Sequence, residues 1–358
     1  MATHPRLELR NLDRSFDGRA VVKDVSLSIL PGQVTCLLGP SGCGKSTTLR
    51  LIAGVDRQDA GEIYVDQQLI SGRSIHTPPE RRSIGFMFQD FALFPHLRVG
   101  ENVAFGIKGS KNQKRAKAEY LLEKVGLEKL IDKYPYALSG GEQQRVALVR
   151  ALALKPKIML MDEPFSGLDN RLRDEIRDDT LDILKSEKTA VLLVTHDPEE
   201  AMRMADEIAL MRHGKIVQKG APYNVYNTPL DREAMAFFSD LNAINSRVEG
   251  SLADTSFGQF FAPGYKDGTE VKIAFRPQHV RIDFDRNGKG PNPTASQGVA
   301  ASGQVIRSRF MGSDSLVEFK MHYDGSVLKA TVPYVFLPQP GRKLWLTIPR
   351  DRCFIFAR

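Results

Sequence analysis

The chain is 358 residues long, 42% apolar and 26% charged, with a formal net charge of +7. That length points to about two domains, each able to bury a core, and the composition is that of an ordinary soluble protein. No window approaches the run of 18 apolar residues that a membrane span needs, so the chain is not expected to cross a bilayer by itself.

Met1 to Arg6 leads into a strand-like Leu7 to Leu12 with no apolar stretch before it, so no secretory signal is expected. Cys36, Cys43 and Cys353 have no metal-binding spacing and are too few for a disulfide framework, which fits a reducing cytoplasm. Up to about residue 240 apolar runs alternate with helical patterns: Val34 to Leu38, Ile84 to Phe88, Ile158 to Met161, Ala190 to Val194 and Ile208 to Met211. This α/β alternation predicts a mostly parallel sheet with helices on its faces, and ligands then sit at the C-terminal ends of the strands.

Directly after Val34 to Leu38 come Gly39, Pro40, Ser41, Gly42, Cys43, Gly44, Lys45 and Ser46, and then a helical stretch from Thr47 to Ala53. This fits the phosphate-loop pattern G-x-x-x-x-G-K-[ST] in the strand-to-helix setting that makes it a site. The glycines let the backbone turn with its N–H groups inward, and the helix presents its positive end to phosphate oxygens. Lys45 is placed to reach the β- and γ-phosphates, and Ser46 to hold Mg²⁺. A nucleoside triphosphate is the expected ligand of Gly39 through Thr47.

Between Phe91 and about Lys157 the pattern is chiefly helical, with charged Lys108 to Lys117 leading into an amphipathic stretch through Leu121, Leu122 and Val125. Within it Ser139 is a plausible N-cap, and Glu142 completes a capping box. A merely well-capped helix does not need Gly140 and Gly141, whose bare N–H groups at a positive helix end make a second anion site. One phosphate loop and one such helix end, nearly a hundred residues apart, raise the arrangement in which two chains share a nucleotide.

The buried run Ile158 to Met161 ends in Asp162 and Glu163. Successive strand side chains point opposite ways, so Asp162 can join the Mg²⁺ shell while Glu163 polarises an attacking water. Thr195, His196 and Asp197 follow the apolar Val191 to Val194 and should emerge beside the phosphate loop. After about Leu241 short alternating runs separated by Gly, Pro and Asn signal a small β barrel or sandwich: Val271 to Phe275, Val280 to Phe284, Val317 to Met321 and Leu344 to Ile348. From Ala243 onward 16 Lys and Arg stand against 10 Asp and Glu, but with no basic block or aromatic interleaving, so a mildly basic solvated surface is the reading.

Taken in order over about residues 5 to 240, these motifs resemble the ATP-binding cassette ATPases, the cytoplasmic engines of membrane transporters. The resemblance implies a P-loop NTPase cassette over residues 1–240, with a helical subdomain at about 90–157. Ser139, Gly140, Gly141 and Glu142 look like the signature that caps the γ-phosphate of ATP held by the opposite subunit. Gln89 looks like the glutamine that joins core to insert and senses Mg²⁺ and the attacking water. Asp169, closing Ser166-Gly-Leu-Asp, resembles the loop that crosses to the partner. His196 resembles the switch histidine on the γ-phosphate. Phe16 sits where the family stacks an aromatic ring on adenine, ordinary core packing being its other reading. The implied catalytic set is Glu163, His196, Gln89 and Lys45, and the Mg²⁺ set is Ser46, Gln89 and Asp162.

Residues 241–358, with Phe275-Arg-Pro-Gln-His-Val-Arg-Ile, look like the all-β, OB-fold-like tail of importer ATPases, there to sense a ligand or to strengthen a dimer. The implied partners are a second copy, two transmembrane permeases docking near Gln89 to Val103 and, indirectly, a periplasmic solute-binding protein. The implied location is the cytoplasmic face of the inner membrane. Thr77-Pro-Pro-Glu-Arg-Arg, Leu93-Phe-Pro-His-Leu and Phe237-Phe-Ser-Asp-Leu-Asn-Ala-Ile most resemble the ferric iron group. Polyamine, quaternary-amine, sugar and sulfate importers stay open, because binding protein and permease choose the solute. A soluble cassette protein working on nucleic acid or ribosomes is the reading from another class. A single phosphate loop and the lack of an aromatic ladder speak against it, and no nucleic acid is expected.

Overall fold

The computed structural model describes residues 4–166, 170–284 and 288–358. The chain divides into two compact units, Met1–Leu230 and Asp231–Arg358. The second unit opens at Asp231 rather than at the change of texture near Leu241. Its first residues are tied to it, with Ser239 Oγ accepting from Arg276 Nε at 3.0 Å and Asp240 pairing with Lys329 at 2.8 Å.

In the first unit the chain runs β1 (Leu7–Phe16), β2 (Arg19–Ile29), β3 (Val34–Leu38), α1 (Lys45–Ala53), β4 (Ala60–Val65), β5 (Gln68–Ser71) and β6 (Ile84–Met87). The helical stretch follows as α2 (Val99–Ala104), α3 (Lys111–Glu123) and α4 (Gly140–Leu152). Then come β7 (Ile158–Asp162), α5 (Asn170–Ser186), β8 (Ala190–Thr195), α6 (Pro198–Met204), β9 (Glu207–Arg212), β10 (Lys215–Gly220) and α7 (Pro222–Asn227). The five expected apolar runs all lie in one sheet of order β10-β9-β3-β8-β7-β6, parallel except where β10 turns back on β9. Strands β3 and β8 are buried at every residue, as central parallel strands covered on both faces must be.

A second, antiparallel sheet of order β2-β1-β4-β5 joins the same core through Leu7, Leu9 and Leu12. Only its first strand was legible as a strand; the pairing of Leu7 with Val65 is too distant in sequence for local periodicity to reveal. The helical stretch has its own core, formed by residues such as Val99, Val103, Leu122, Leu127 and Val146.

The second unit starts with α8 (Arg232–Phe238) and is otherwise β-rich: β11 (Asn242–Glu249), β12 (Leu252–Ala253), β13 (Phe260–Phe261), β14 (Glu270–Phe275), β15 (Arg281–Phe284) and β16 (Ala301–Phe310). It ends with β17 (Ser315–Met321), β18 (Val327–Val332), β19 (Lys343–Thr347) and β20 (Cys353–Ala357). Two five-stranded antiparallel sheets, β13-β12-β11-β14-β20 and β15-β19-β16-β17-β18, close over one core that includes Ile273, Phe275, Phe319 and Leu346. This is the all-β domain expected from the alternating runs.

Candidate functional site

Strand register builds the site. Leu38 pairs with Thr195 across β3 and β8, and Asp162 with Val194 across β7 and β8. Three neighbouring strands therefore end level, and the loops that leave them meet. The β3 loop is held tight: a Cβ on Gly39 would stand 2.2 Å from Met211 O, and Gly44 caps α1 at φ 110, where a side chain is strained. Among the described residues the amides of Ser41, Gly42 and Gly44 have no protein acceptor, leaving donors for an anion at the positive end of α1.

Lys45 is 4% exposed, and its Nζ donates to Gly39 O at 2.8 Å and Pro40 O at 3.1 Å, so the ammonium lies against the loop it serves. Ser46 Oγ donates to Asp162 Oδ1 at 3.0 Å. Burial raises the Asp162 carboxyl above its ordinary value; the Ser46 hydroxyl opposes that, Glu163 adds to it, and Lys45 and Arg50 lower it. A hydroxyl and a partly buried carboxylate side by side form the hard-oxygen donor set that Mg²⁺ takes, and a cation would relieve the cost of burying that charge.

Glu163 departs from the strand with φ 45, and its amide donates to Val194 O at 2.9 Å. This left-handed turn lets its carboxylate meet the loop after β8: Glu163 Oε1 is 3.0 Å from His196 Nδ1. The imidazole is about half exposed, so it remains available to a ligand.

The other expected residues make no hydrogen bond or ion pair with this cluster among the described residues, although the pairing of Met87 with Met161 brings Gln89 off β6 beside the end of β7. Ser139 caps α4 as anticipated, with Ser139 Oγ accepting from the Glu142 amide at 3.4 Å and Glu142 Oε2 accepting from the Ser139 amide at 2.7 Å. Among the described residues, no hydrogen bond or ion pair of Ser139, Gly140, Gly141 or Glu142 reaches the strand-end cluster. Gln89 is exposed on the turn after β6. Phe16 is 39% exposed, with the Arg14 guanidinium 4.4 Å from its ring centre. Asp169 lies outside the described residues.

Among the buried charged residues not singled out from sequence are Arg82 and Glu200. Arg82, 2% exposed, donates to Leu51 O, Ile52 O and Thr77 O at 2.7 to 2.8 Å, fastening the C-terminal end of α1. Glu200, 4% exposed, accepts from Thr195 Oγ1 at 2.6 Å. Both sit in polar stretches, where hydropathy argues for a surface.

A phosphate loop on a parallel sheet, with acidic and histidine side chains at the adjoining strand ends, defines a P-loop nucleoside triphosphatase. Residues 22–166 match the ABC transporter family, and residues 273–356 match the TOBE domain. The chain is 40% identical over 277 residues to the Fe(3+) ions import ATP-binding protein FbpC 2 of Pectobacterium atrosepticum, covering 77% of this chain and 80% of that one. It is 37% identical over 357 residues to the putrescine transport ATP-binding protein PotG of Escherichia coli, covering 96% and 92%. Among solved structures it is similar to the dimeric ATP-binding cassette MJ0796 bound to ADP and Pi, with a TM-score of 0.54, 31% identity and coverage of 60% of this chain and 98% of that one. The chain belongs to the ATP-binding proteins of ABC importers, and it binds and hydrolyses ATP.

Proposed function

We propose that the chain powers a ferric iron importer, as one of two identical ATP-binding subunits on the cytoplasmic face of two separate permeases fed by a periplasmic binding protein. The observation that carries the ATPase half of this reading is the level ending of β3, β7 and β8, which groups Lys45, Ser46, Asp162, Glu163 and His196.

In this reading the loop amides and Lys45 hold the phosphates, and Phe16 stacks on the base. Ser46, Asp162 and Gln89 would hold Mg²⁺, which offsets phosphate charge when bound. Glu163 accepts the proton of the attacking water, and His196 donates a hydrogen bond to the γ-phosphate. Ser139 to Glu142 and Asp169 act on the nucleotide of the other copy; that Ser139 and Glu142 bond each other and, among the described residues, not the strand-end cluster supports that, as does the likeness to a cassette solved as a dimer. Residues 231–358 serve as a regulatory or dimer-strengthening domain.

For the permease contact, support comes from a groove of about 640 Å³ lined by Phe86, Phe88, Ala92, Phe94, Phe105 and Leu154. Its loop is fixed in advance: Arg150 donates to Ala92 O and Phe91 O at 2.7 and 2.9 Å, and Asn102 bonds Phe94 N and Phe94 O at 2.8 and 3.1 Å. Within Gln89 to Val103, Phe94 lines the groove while Leu93 packs on the helical core.

Iron as solute rests on the FbpC relatives, at 40% identity in Pectobacterium atrosepticum and 38% in Rhodococcus jostii. Putrescine is the second reading, supported by the PotG match over 96% of the chain. Uptake of ferric iron and of putrescine by cells with and without the chain decides between them: loss of iron uptake alone supports the first, and loss of putrescine uptake alone overturns it.

A further inference from the structure

Behind His196 lies a buried polar cluster that the phosphate loop and the acidic pair do not use. Thr195 ends β8 at 1% exposure; its hydroxyl donates to Glu200 Oε2 at 2.6 Å and accepts the Asp197 amide at 3.0 Å. One hydroxyl thus grips the chain on both sides of His196. Asp197 in turn caps α6, its Oδ1 accepting the Glu199 and Glu200 amides at 2.9 and 3.4 Å.

Arg177 reaches this loop from α5. It is 2% exposed, with Nη2 3.3 Å from Asp197 Oδ2 and 3.9 Å from Glu200 Oε2. Its guanidinium lies 5.8 Å from the ring centre of Phe165, two residues past Glu163. Helix α5 begins at Asn170, directly after the segment assigned to the partner crossing.

Stability alone does not account for such a cluster, since replacing a buried ionic group by a packed apolar one of similar volume is often neutral or stabilising. Burial pushes the Glu200 carboxyl up to about 7 against the opposing pull of the Thr195 hydroxyl and Arg177, and its Oε1 has no hydrogen-bond partner. The groups facing it are Arg177 and Arg173 from α5, Asp197 at the cap of its own helix, Thr195 from β8 and the Cys36 thiol from β3.

We propose that Thr195, Glu200 and Arg177 are positioning residues for His196, holding its imidazole against Glu163 and tying that placement to helix α5. The inference rests on the reading of His196 and Glu163 as parts of the hydrolytic machinery.

The test is steady-state ATP hydrolysis by the purified full-length chain. Thr195→Val removes the hydroxyl and keeps the shape, so kcat is expected to fall about ten- to a hundred-fold, with KM for ATP within about two-fold because the phosphate loop is untouched. Thr195→Ser should restore most of the rate. Residues that act through one group are not additive, so Thr195→Val should cost nothing further in a His196→Ala background. Parental kcat in Thr195→Val beside an impaired His196→Ala, or losses that multiply in the double variant, overturn the inference and leave the catalytic reading intact. Parental turnover in His196→Ala overturns both. Should Thr195→Val melt early, the His196 imidazole titration followed by proton NMR in Arg177→Lys serves instead: a shifted midpoint supports the coupling, and an unchanged one refutes it.

Discussion

Replacing Arg82 by methionine tests how the phosphate loop is anchored. Three carbonyls, Leu51 O and Ile52 O at the end of α1 and Thr77 O, receive the guanidinium at 2.7 to 2.8 Å. Hydrogen bonds from a charged donor contribute about 1.5 to 3 kcal/mol each, a gross gain of roughly 5 to 9 kcal/mol. Burial opposes this: it pulls the guanidinium down from its ordinary value to about 10, a cost of about 3 kcal/mol at about 1.4 kcal/mol per pH unit. The net expectation for Arg82→Met is a loss of about 4 kcal/mol, because methionine fills much of the volume and leaves the carbonyls unpaired. Urea unfolding read two ways isolates the effect. The single tryptophan, Trp345, lies in the second unit, so its fluorescence reports that unit, while far-ultraviolet circular dichroism also reports the first. The dichroism transition should move to lower urea with the fluorescence transition unmoved, and ATP affinity should drop with it. A first-unit stability within about 0.5 kcal/mol of the parent would show that water or a rearranged side chain takes over those carbonyls, and would refute the reasoning.

Glu163→Gln should bind ATP, lose about 10²- to 10⁴-fold in turnover, and accumulate as a closed dimer in size-exclusion runs with ATP; hydrolysis at the parental rate removes Glu163 from the general-base role. Glu200→Gln should flatten the pH dependence of stability. Because the folded-state carboxyl is raised from 4.5 to about 7, the native chain binds the proton more tightly, so stability falls as pH rises through that window, by about 3 kcal/mol in all; equal parental and variant slopes between pH 5 and pH 8 would contradict the assignment. Phe16→Ala should weaken ATP binding by the worth of one base stack, about 1 to 3 kcal/mol, while Phe16→Tyr keeps it. If fluorescent-nucleotide titration finds no change in the alanine variant, the ring belongs to packing and its Arg14 contact.

What could be read in advance divides along a physical line. Gly39 to Ser46, Asp162-Glu163 and Ser139 to Glu142 are legible because their chemistry needs neighbours in sequence: a turn must precede the helix that it feeds, and a cap must sit three residues from its partner. The parallel strands were legible because burial on both faces makes β3, β7 and β8 apolar almost throughout. The pairing of β1 with β4 was hidden, since each strand gives only half of a distant contact. Arg82 and Glu200 were hidden for a further reason: hydropathy sends charge to the surface, whereas both are interior because backbone carbonyls and a threonine hydroxyl supply what water would. The strand-end chemistry therefore announces itself, while the groups that brace it do not. Arg82 pins the far end of the helix that carries Lys45 and Ser46, and Thr195 pins the loop that carries His196. Neither brace bonds a site side chain: Arg82 holds carbonyls at the far end of α1, and the Thr195 hydroxyl holds the Asp197 amide and the Glu200 carboxylate, so a variant at either position should change how often the site is assembled rather than what it can do once assembled.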